Sequence, residues 1–224
     1  MSPSDVDFSA SRAVMVDGQL RPNRVFDAGV VDAMRTLPRE RFLPAGVQAL
    51  AYADEDVPLP GGRCLMEPMV FARLVQAAAP RAGERALVVG AGTGYGAAVV
   101  AACGAAVVAL EEDPELARTA RRLLAEFAPG AQLVEGPLAG GWAAQAPYDV
   151  AIIEGGFEVL PADVVAQLRP EGGRLAGVHV GADGLEQVVL GERLGGTTEL
   201  ALRPVFDCAT PVLPALRRAP GFRF

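Results

Sequence analysis

The chain has 224 residues, 51% of them hydrophobic, which suits one domain with a full core. Its formal charge is −7 and no basic run breaks it, so a surface that tracks nucleic-acid phosphates by releasing counterions is excluded. The opening Met1-Ser-Pro-Ser-Asp-Val-Asp7 is polar and acidic, unlike a leader, and no apolar stretch runs to membrane-spanning length, so a cytoplasmic protein with no membrane partner is expected.

Up to about residue 50 the pattern is helical. Val30, Val31, Met34 and Leu37 recur at helical spacing, and Pro38 closes the run. Residues 54–68 read as a loop rich in proline and glycine, and residues 69–79 as a helix. Strands and helices then alternate: strand 86–89, a helix, strand 106–110, helix 114–127, strand 132–134, strand 149–153, helix 161–168 and strand 174–180. That alternation predicts an α/β fold with a mainly parallel, doubly wound sheet and helices on both faces. Residues 186–190 and 198–204 read as two further strands that pair like a hairpin at the end of the sheet.

The densest signal is Arg85-Ala-Leu-Val-Val-Gly-Ala-Gly-Thr-Gly-Tyr95, followed by the strand that ends in Glu111. The unbroken apolar run 87–89 suits a strand covered on both faces. Gly90, Gly92 and Gly94 let the backbone turn sharply and approach a ligand where a Cβ would collide. A carboxylate at Glu111 can accept from both hydroxyls of a ribose, so the unit reads as a pocket for a nucleoside cofactor. Val89, Gly90, Ala91, Gly92, Gly94, Tyr95, Glu111 and Glu112 are the residues expected to line it.

Two cofactors fit the glycine spacing. Gly92-x-Gly94-x-x-Ala97 satisfies the dinucleotide fingerprint, whereas Gly90-x-Gly92-x-Gly94 satisfies the looser pattern of class I methyltransferases, which bind S-adenosylmethionine. The long segment before the turn favours the second. A nicotinamide-dependent oxidoreductase would also need a hydride site, and the chain has no lysine for a tyrosine–lysine pair.

Cys64, Cys103 and Cys208 are odd in number and far apart, which fits reduced thiols better than a disulfide frame. With His179 they make four candidate ligands, but no pair has zinc-site spacing, so no metal is expected. His179 lies in an apolar strand pattern and reads as structural rather than as a base.

Beyond the turn, the chain resembles the protein-L-isoaspartate O-methyltransferase family. Val31-Asp-Ala-Met-Arg-Thr-Leu-Pro-Arg-Glu-Arg-Phe-Leu-Pro44 is similar to its N-terminal helix and turn, and Ala51-Tyr-Ala-Asp-Glu-Asp-Val-Pro-Leu-Pro60 to the segment before its substrate loop. Glu67-Pro68 to Ala72, and Gly141-Trp142 with Ala146-Pro-Tyr-Asp149, extend the likeness. The resemblance implies a Rossmann-like, seven-stranded class I methyltransferase fold with an N-terminal helical extension. Within one domain, residues 1–80 would hold the helices and substrate loop, 81–190 the cofactor core and 191–224 the last strand and tail. It further implies S-adenosylmethionine as cofactor, a damaged peptide or protein as substrate and the free isoaspartyl carboxylate as methyl acceptor. Such a carboxylate is already an anion near neutral pH and needs no general base.

The chain departs from the family pattern at several positions. Where the family carries Thr-Ile-Ser-Gln-Pro, this sequence has Cys64-Leu65-Met66-Glu67-Pro68, so Met66 stands at the serine that touches the acceptor. Val88 stands where an acid opens the glycine motif, and Gly136-Pro137-Leu138 replaces Gly-Asp-Gly, whose aspartate faces the adenine. Glu67 and Glu154 are acids gained, the second in place of a small hydroxyl residue. Met66, Glu67 and Glu154 are therefore the candidate acceptor-facing residues, with Gly136 and Pro137 beside the base. Each ionised acid near an isoaspartyl carboxylate would repel it by roughly 3 kcal/mol at about 5 Å and an effective dielectric near 20. The alternatives are that Glu67 faces solvent and Glu154 caps a loop with Gly155 and Gly156, or that one of the two pairs with the cofactor's cationic end. A degenerate member that binds a nucleoside or a partner without methylating stays open, as does the oligomeric state.

Overall fold

A computed structural model describes residues 7–195 and 200–219 of the chain. Helix α1 (Ser9–Met15) runs directly into one π-helical turn at Val16–Leu20. Helix α2 (Ala28–Thr36) starts at Asp27, whose side chain accepts from the Val30 amide and satisfies one of the free donors of the first turn. It stops one residue short of Leu37, which is extended because the Pro38 ring disfavours helical backbone before it.

The stretch expected to be a plain loop holds a small hairpin. Strand β1 (Val57–Leu59) pairs antiparallel with β2 (Arg63–Leu65) across Pro60-Gly61-Gly62. Gly61 and Gly62 take φ of 69° and 70°, so the turn demands the residues that made the segment read as coil. Val57, Leu59, Arg63 and Leu65 all point inward. Helix α3 (Pro68–Ala78) follows, with its proline in the first turn, where no amide bond is lost.

The remaining elements alternate as expected: β3 (Arg85–Val89), α4 (Tyr95–Ala102), β4 (Ala106–Glu111), α5 (Pro114–Phe127), β5 (Gln132–Glu135), β6 (Val150–Phe157), α6 (Ala162–Ala166), β7 (Arg174–Val180), β8 (Glu186–Glu192) and β9 (Ala201–Asp207). They form one seven-stranded sheet in the order β5-β4-β3-β6-β7-β8-β9. β3 to β7 pair in parallel, and β8 and β9 return as an antiparallel meander. The expected end hairpin is present, although its second strand was placed too early; positions 198 and 199 of that expectation, and the opening residues 1–6, lie outside the described residues.

Alternate side chains along β3 go to opposite faces, as the pleat requires. Ala86 and Val88 join a core with α2, α3, α4 and α5, whereas Leu87 and Val89 join a second core with Tyr148, Val164, Val165, Leu213 and Leu216. Most helices therefore cover one face, and the other is closed by α6, short turns and the C-terminal segment. After β9 the chain crosses back over the carboxyl end of β6. The Gly156 amide donates to the Pro211 carbonyl at 2.9 Å, the Leu213 amide to the Gly156 carbonyl at 2.8 Å, and the Glu158 and Val159 amides to the Leu216 carbonyl at 3.0 and 3.2 Å. No helix among the described residues is long and apolar enough to cross a membrane.

Candidate functional site

β3 is flanked by β4 on one side and β6 on the other, so the chain leaves its carboxyl end in opposite senses and a crevice forms there. The glycine turn lies in that crevice. Gly90, Gly92 and Gly94 take φ of 78°, 57° and 96°, a region where L side chains are strained, which explains the spacing read from the sequence. The Gly90 and Ala91 amides both donate to the Leu110 carbonyl at 3.0 Å, pinning the turn to the end of β4.

Glu111 ends β4 with its carboxylate turned inward and fully buried. One oxygen, Oε2, accepts from the Gly92 amide at 2.7 Å. The other, Oε1, accepts from the Glu112 amide at 2.9 Å, the Asp113 amide at 3.0 Å and the Arg63 Nη1 at 2.9 Å. Arg63 Nη2 donates to the Gly90 carbonyl at 2.7 Å. The guanidinium thus bridges the acid and the glycine turn, 5% exposed, beside an acid that is 0% exposed. Leu213 covers the same turn from the C-terminal segment: a Cβ at Gly90 would lie 3.1 Å from its Cδ1, and one at Gly155 2.8 Å from its Cγ.

The outer wall of the crevice is open. Glu112 and Pro137 are exposed, Gly136 is half-buried, and the Gly136 amide donates to the Glu111 carbonyl at 3.1 Å, bringing the two expected base-side segments together. Trp142 packs against Gly136 and forms the back of this wall.

The acceptor-side expectations divide. Met66 is a correction: its side chain is buried in the core among the N-terminal helices, and only its carbonyl is used, accepting from Arg39. Met66 follows the end of β2 and packs in the same core as Leu65, so a side chain there faces no open space. Tyr95 is a second correction. Its ring packs against Phe42 and Phe71, 5.3 and 5.9 Å between centroids, so it contributes the start of α4 and the core rather than a pocket wall. Glu67 is half-buried beside Asp54 and Asp56; burial first, then those acids, push its carboxyl up to about 7.

Glu154 is neither a loop cap nor solvent-facing, because it lies inside β6 with Gly155 and Gly156. Its carboxyl sits over Gly96, where any Cβ would overlap it. Burial pushes its pKa up to about 8 against the pull of Arg63 and Arg39, with Glu111 adding to the rise, and Oε2 has no hydrogen-bond partner among the described residues. At neutral pH most of it keeps its proton, so the expected repulsion of an acceptor carboxylate is largely absent. His179 stands in β7 against Phe157, at 5.4 Å between ring centroids and outside the crevice.

Sequence reasoning missed Arg63, Arg39 and Leu213. The signal for Arg63 was the short inward alternation of residues 57, 59, 63 and 65 around Pro-Gly-Gly, a hairpin pattern. Nothing local marked Leu213, whose role depends on the tail crossing the sheet.

The groups aimed into the crevice fit a ribose-bearing cofactor in kind: a buried acid, backbone carbonyls and amides of a glycine turn, and an outer wall for a base. The space between them is taken, in this conformation, by Arg63 and Leu213.

A sequence profile described as protein-L-isoaspartate(D-aspartate) O-methyltransferase matches residues 11–199. A protein-L-isoaspartate O-methyltransferase of Methylorubrum populi is 39% identical over 175 residues, covering 78% of this chain and 82% of that one. One from Koribacter versatilis is 36% identical over 196 residues, covering 87% of each. Among solved structures, a protein-L-isoaspartate O-methyltransferase superposes with a TM-score of 0.78 at 23% identity, over 92% of this chain and 67% of that one. A Plasmodium falciparum structure, designated a β-aspartate methyltransferase and in complex with S-adenosyl-L-homocysteine, gives 0.76 at 16% identity over 94% of this chain and 100% of that one. At these identities the structures speak for the fold.

Proposed function

The chain belongs to the protein-L-isoaspartate O-methyltransferase family, and on that premise we propose that it is an S-adenosylmethionine-dependent enzyme that esterifies the free carboxylate of isoaspartyl residues in damaged peptides or proteins. The observation that carries this reading is the buried Glu111 carboxylate at the end of β4, set against the Gly92 amide at 2.7 Å. In this reading Glu111 holds the ribose, the Gly90 to Gly94 turn lies along the cofactor, and Glu112, Gly136 and Pro137 border its base.

S-adenosylmethionine, when bound, supplies a methyl carbon made electrophilic by its sulfonium. The chain has little proton chemistry to perform, since a carboxyl with an ordinary pKa near 4 is an anion at neutral pH. Its work is to orient the acceptor oxygen and keep water out. Glu154 suits that work better than its charge in the sequence suggested. Held mostly protonated by burial, it adds little negative charge beneath the acceptor side. Glu67, with a carboxyl near 7, borders the acceptor side and gains charge as pH rises.

The three cysteines are free, which suits a reducing compartment, and we place the protein in the cytoplasm on that ground. The test is ester formation on a synthetic isoaspartyl peptide beside its aspartyl isomer. Selective methylation of the first is expected, and no ester above background at saturating cofactor rejects the assignment.

A further inference from the structure

We propose that the cofactor crevice is held shut by the chain itself: the Arg63 guanidinium and the segment carrying Leu213 occupy it in the resting protein and are expelled when S-adenosylmethionine binds. This rests on the methyltransferase reading and adds a gate to the same site.

The acceptor count shows where a ribose and Arg63 compete. A ribose that donates both hydroxyls needs a place on each carboxylate oxygen; Oε2 accepts one donor and has room, but Oε1 already accepts three, the Glu112 and Asp113 amides and Arg63. Of those three, the Arg63 bond is the one made by a side chain, which can move away without shifting the backbone at the end of β4. The Gly90 carbonyl is engaged by the same guanidinium at 2.7 Å. Gly90 through Gly96 are all buried, and what buries the first of them is Arg63 and Leu213.

The covering segment is built to lift. Within residues 208–216 only Thr210, Leu213 and Leu216 are buried, while Ala209, Pro211, Pro214 and Ala215 are exposed. Two buried apolar side chains, Leu213 and Leu216, are all that seats the segment in the core, and a unit with so few buried contacts opens below the global unfolding cost. The segment is also tied to the hairpin. Thr210 Oγ1 donates to Asp56 Oδ2 at 2.7 Å, and Asp56 Oδ1 accepts from the Glu67 amide at 2.6 Å. Displacing the segment therefore loosens the anchor of the hairpin that carries Arg63 and of the loop that carries Glu67. The exposed outer wall at Glu112 and Pro137 leaves one end of a ligand a place to land while the inner half is still closed.

A ligand that binds only the open form has its apparent dissociation constant raised by the reciprocal of the open fraction, so an open population of about one in ten weakens binding about tenfold. The experiment is calorimetric titration of the full chain with S-adenosylhomocysteine, for wild type, Arg63→Ala and Leu213→Ala, with amide hydrogen exchange followed with and without ligand. Leu213→Ala keeps the Arg63–Glu111 pair and guards against failure of Arg63→Ala to fold, which a thermal melt checks.

Wild type should bind with loss of protection at the Gly156, Glu158, Val159 and Leu213 amides, and at least one variant should bind about tenfold more tightly. Binding by a variant alone would support the plug equally. Wild-type binding with unchanged protection at those amides, and no gain in either variant, overturns the plug and leaves the methyltransferase reading intact. No binding by any folded variant overturns both.

Discussion

Replacing Glu154 with glutamine keeps the shape of the side chain and removes its ionisation, which turns the burial of this carboxyl into a measurable slope. In the folded protein its pKa is pushed up to about 8, whereas the unfolded chain holds an ordinary carboxyl near 4.5. Between those values the folded state keeps a proton that the unfolded state has released, so wild-type stability falls as pH rises through the window and levels off above it. Each unit of displacement is worth about 1.4 kcal/mol, so the whole window carries on the order of a few kcal/mol. Glutamine has no proton to lose. The gap between Glu154→Gln and wild type should therefore widen in favour of the variant from pH 5 to pH 8.5. Urea unfolding at several pH values reads the gap directly, provided the denaturant slopes agree. A gap that stays constant across the window would show that the carboxyl titrates as it does in the unfolded chain, and the largely neutral state assigned to the buried Glu154 would lose its basis.

Three further outcomes follow from the same geometry. Glu111→Ala should abolish S-adenosylhomocysteine binding in calorimetry; because it removes the acceptor of the Gly92, Glu112 and Asp113 amides, it should also cost about 1–3 kcal/mol in denaturant unfolding. Gly94→Ala forces a side chain into a backbone with φ of 96° and brings its Cβ to 3.1 Å from Leu124 Cγ, so a loss of about 1–3 kcal/mol and a lower melting temperature are expected. Glu67→Gln should raise the rate of isoaspartyl esterification more at pH 8.5 than at pH 6, because the wild-type carboxyl, near 7, is charged only at the higher value. A pH-independent effect would remove Glu67 from the acceptor's surroundings.

The parts of the fold legible in the sequence are those fixed by neighbours in the chain. Helix α5 has the expected bounds because Asp113 caps it and Pro114 starts it, both local signals. The glycine turn was equally plain, since three positive φ values leave few residue choices. The hairpin at 57–65 was lost because two three-residue strands show too little alternation against a proline- and glycine-rich background. At the site, Glu111 was found from its spacing after the turn, but its partner was not. Arg63 meets it through a pairing between segments 48 positions apart; the alternation of the hairpin turns Arg63 inward but does not say what it meets there. Glu154 was identified and misjudged in charge: the residue type says anion, and only its burial over Gly96 says otherwise. Met66 fails for the opposite reason: it was named from its position in the family pattern, and that position alone did not tell that its side chain is buried in the core.

The segment that crosses β6 bears on how this protein reaches its folded state. Leu213 and Leu216 complete the apolar layer on one face of the sheet, yet in chain order they come after β9. The strands β1 to β9 can all be synthesised while that layer still lacks these two pieces, so oily surface stays uncovered until they dock. A chain cut between β9 and Leu213 is thus expected to aggregate, even though it keeps all nine of those strands.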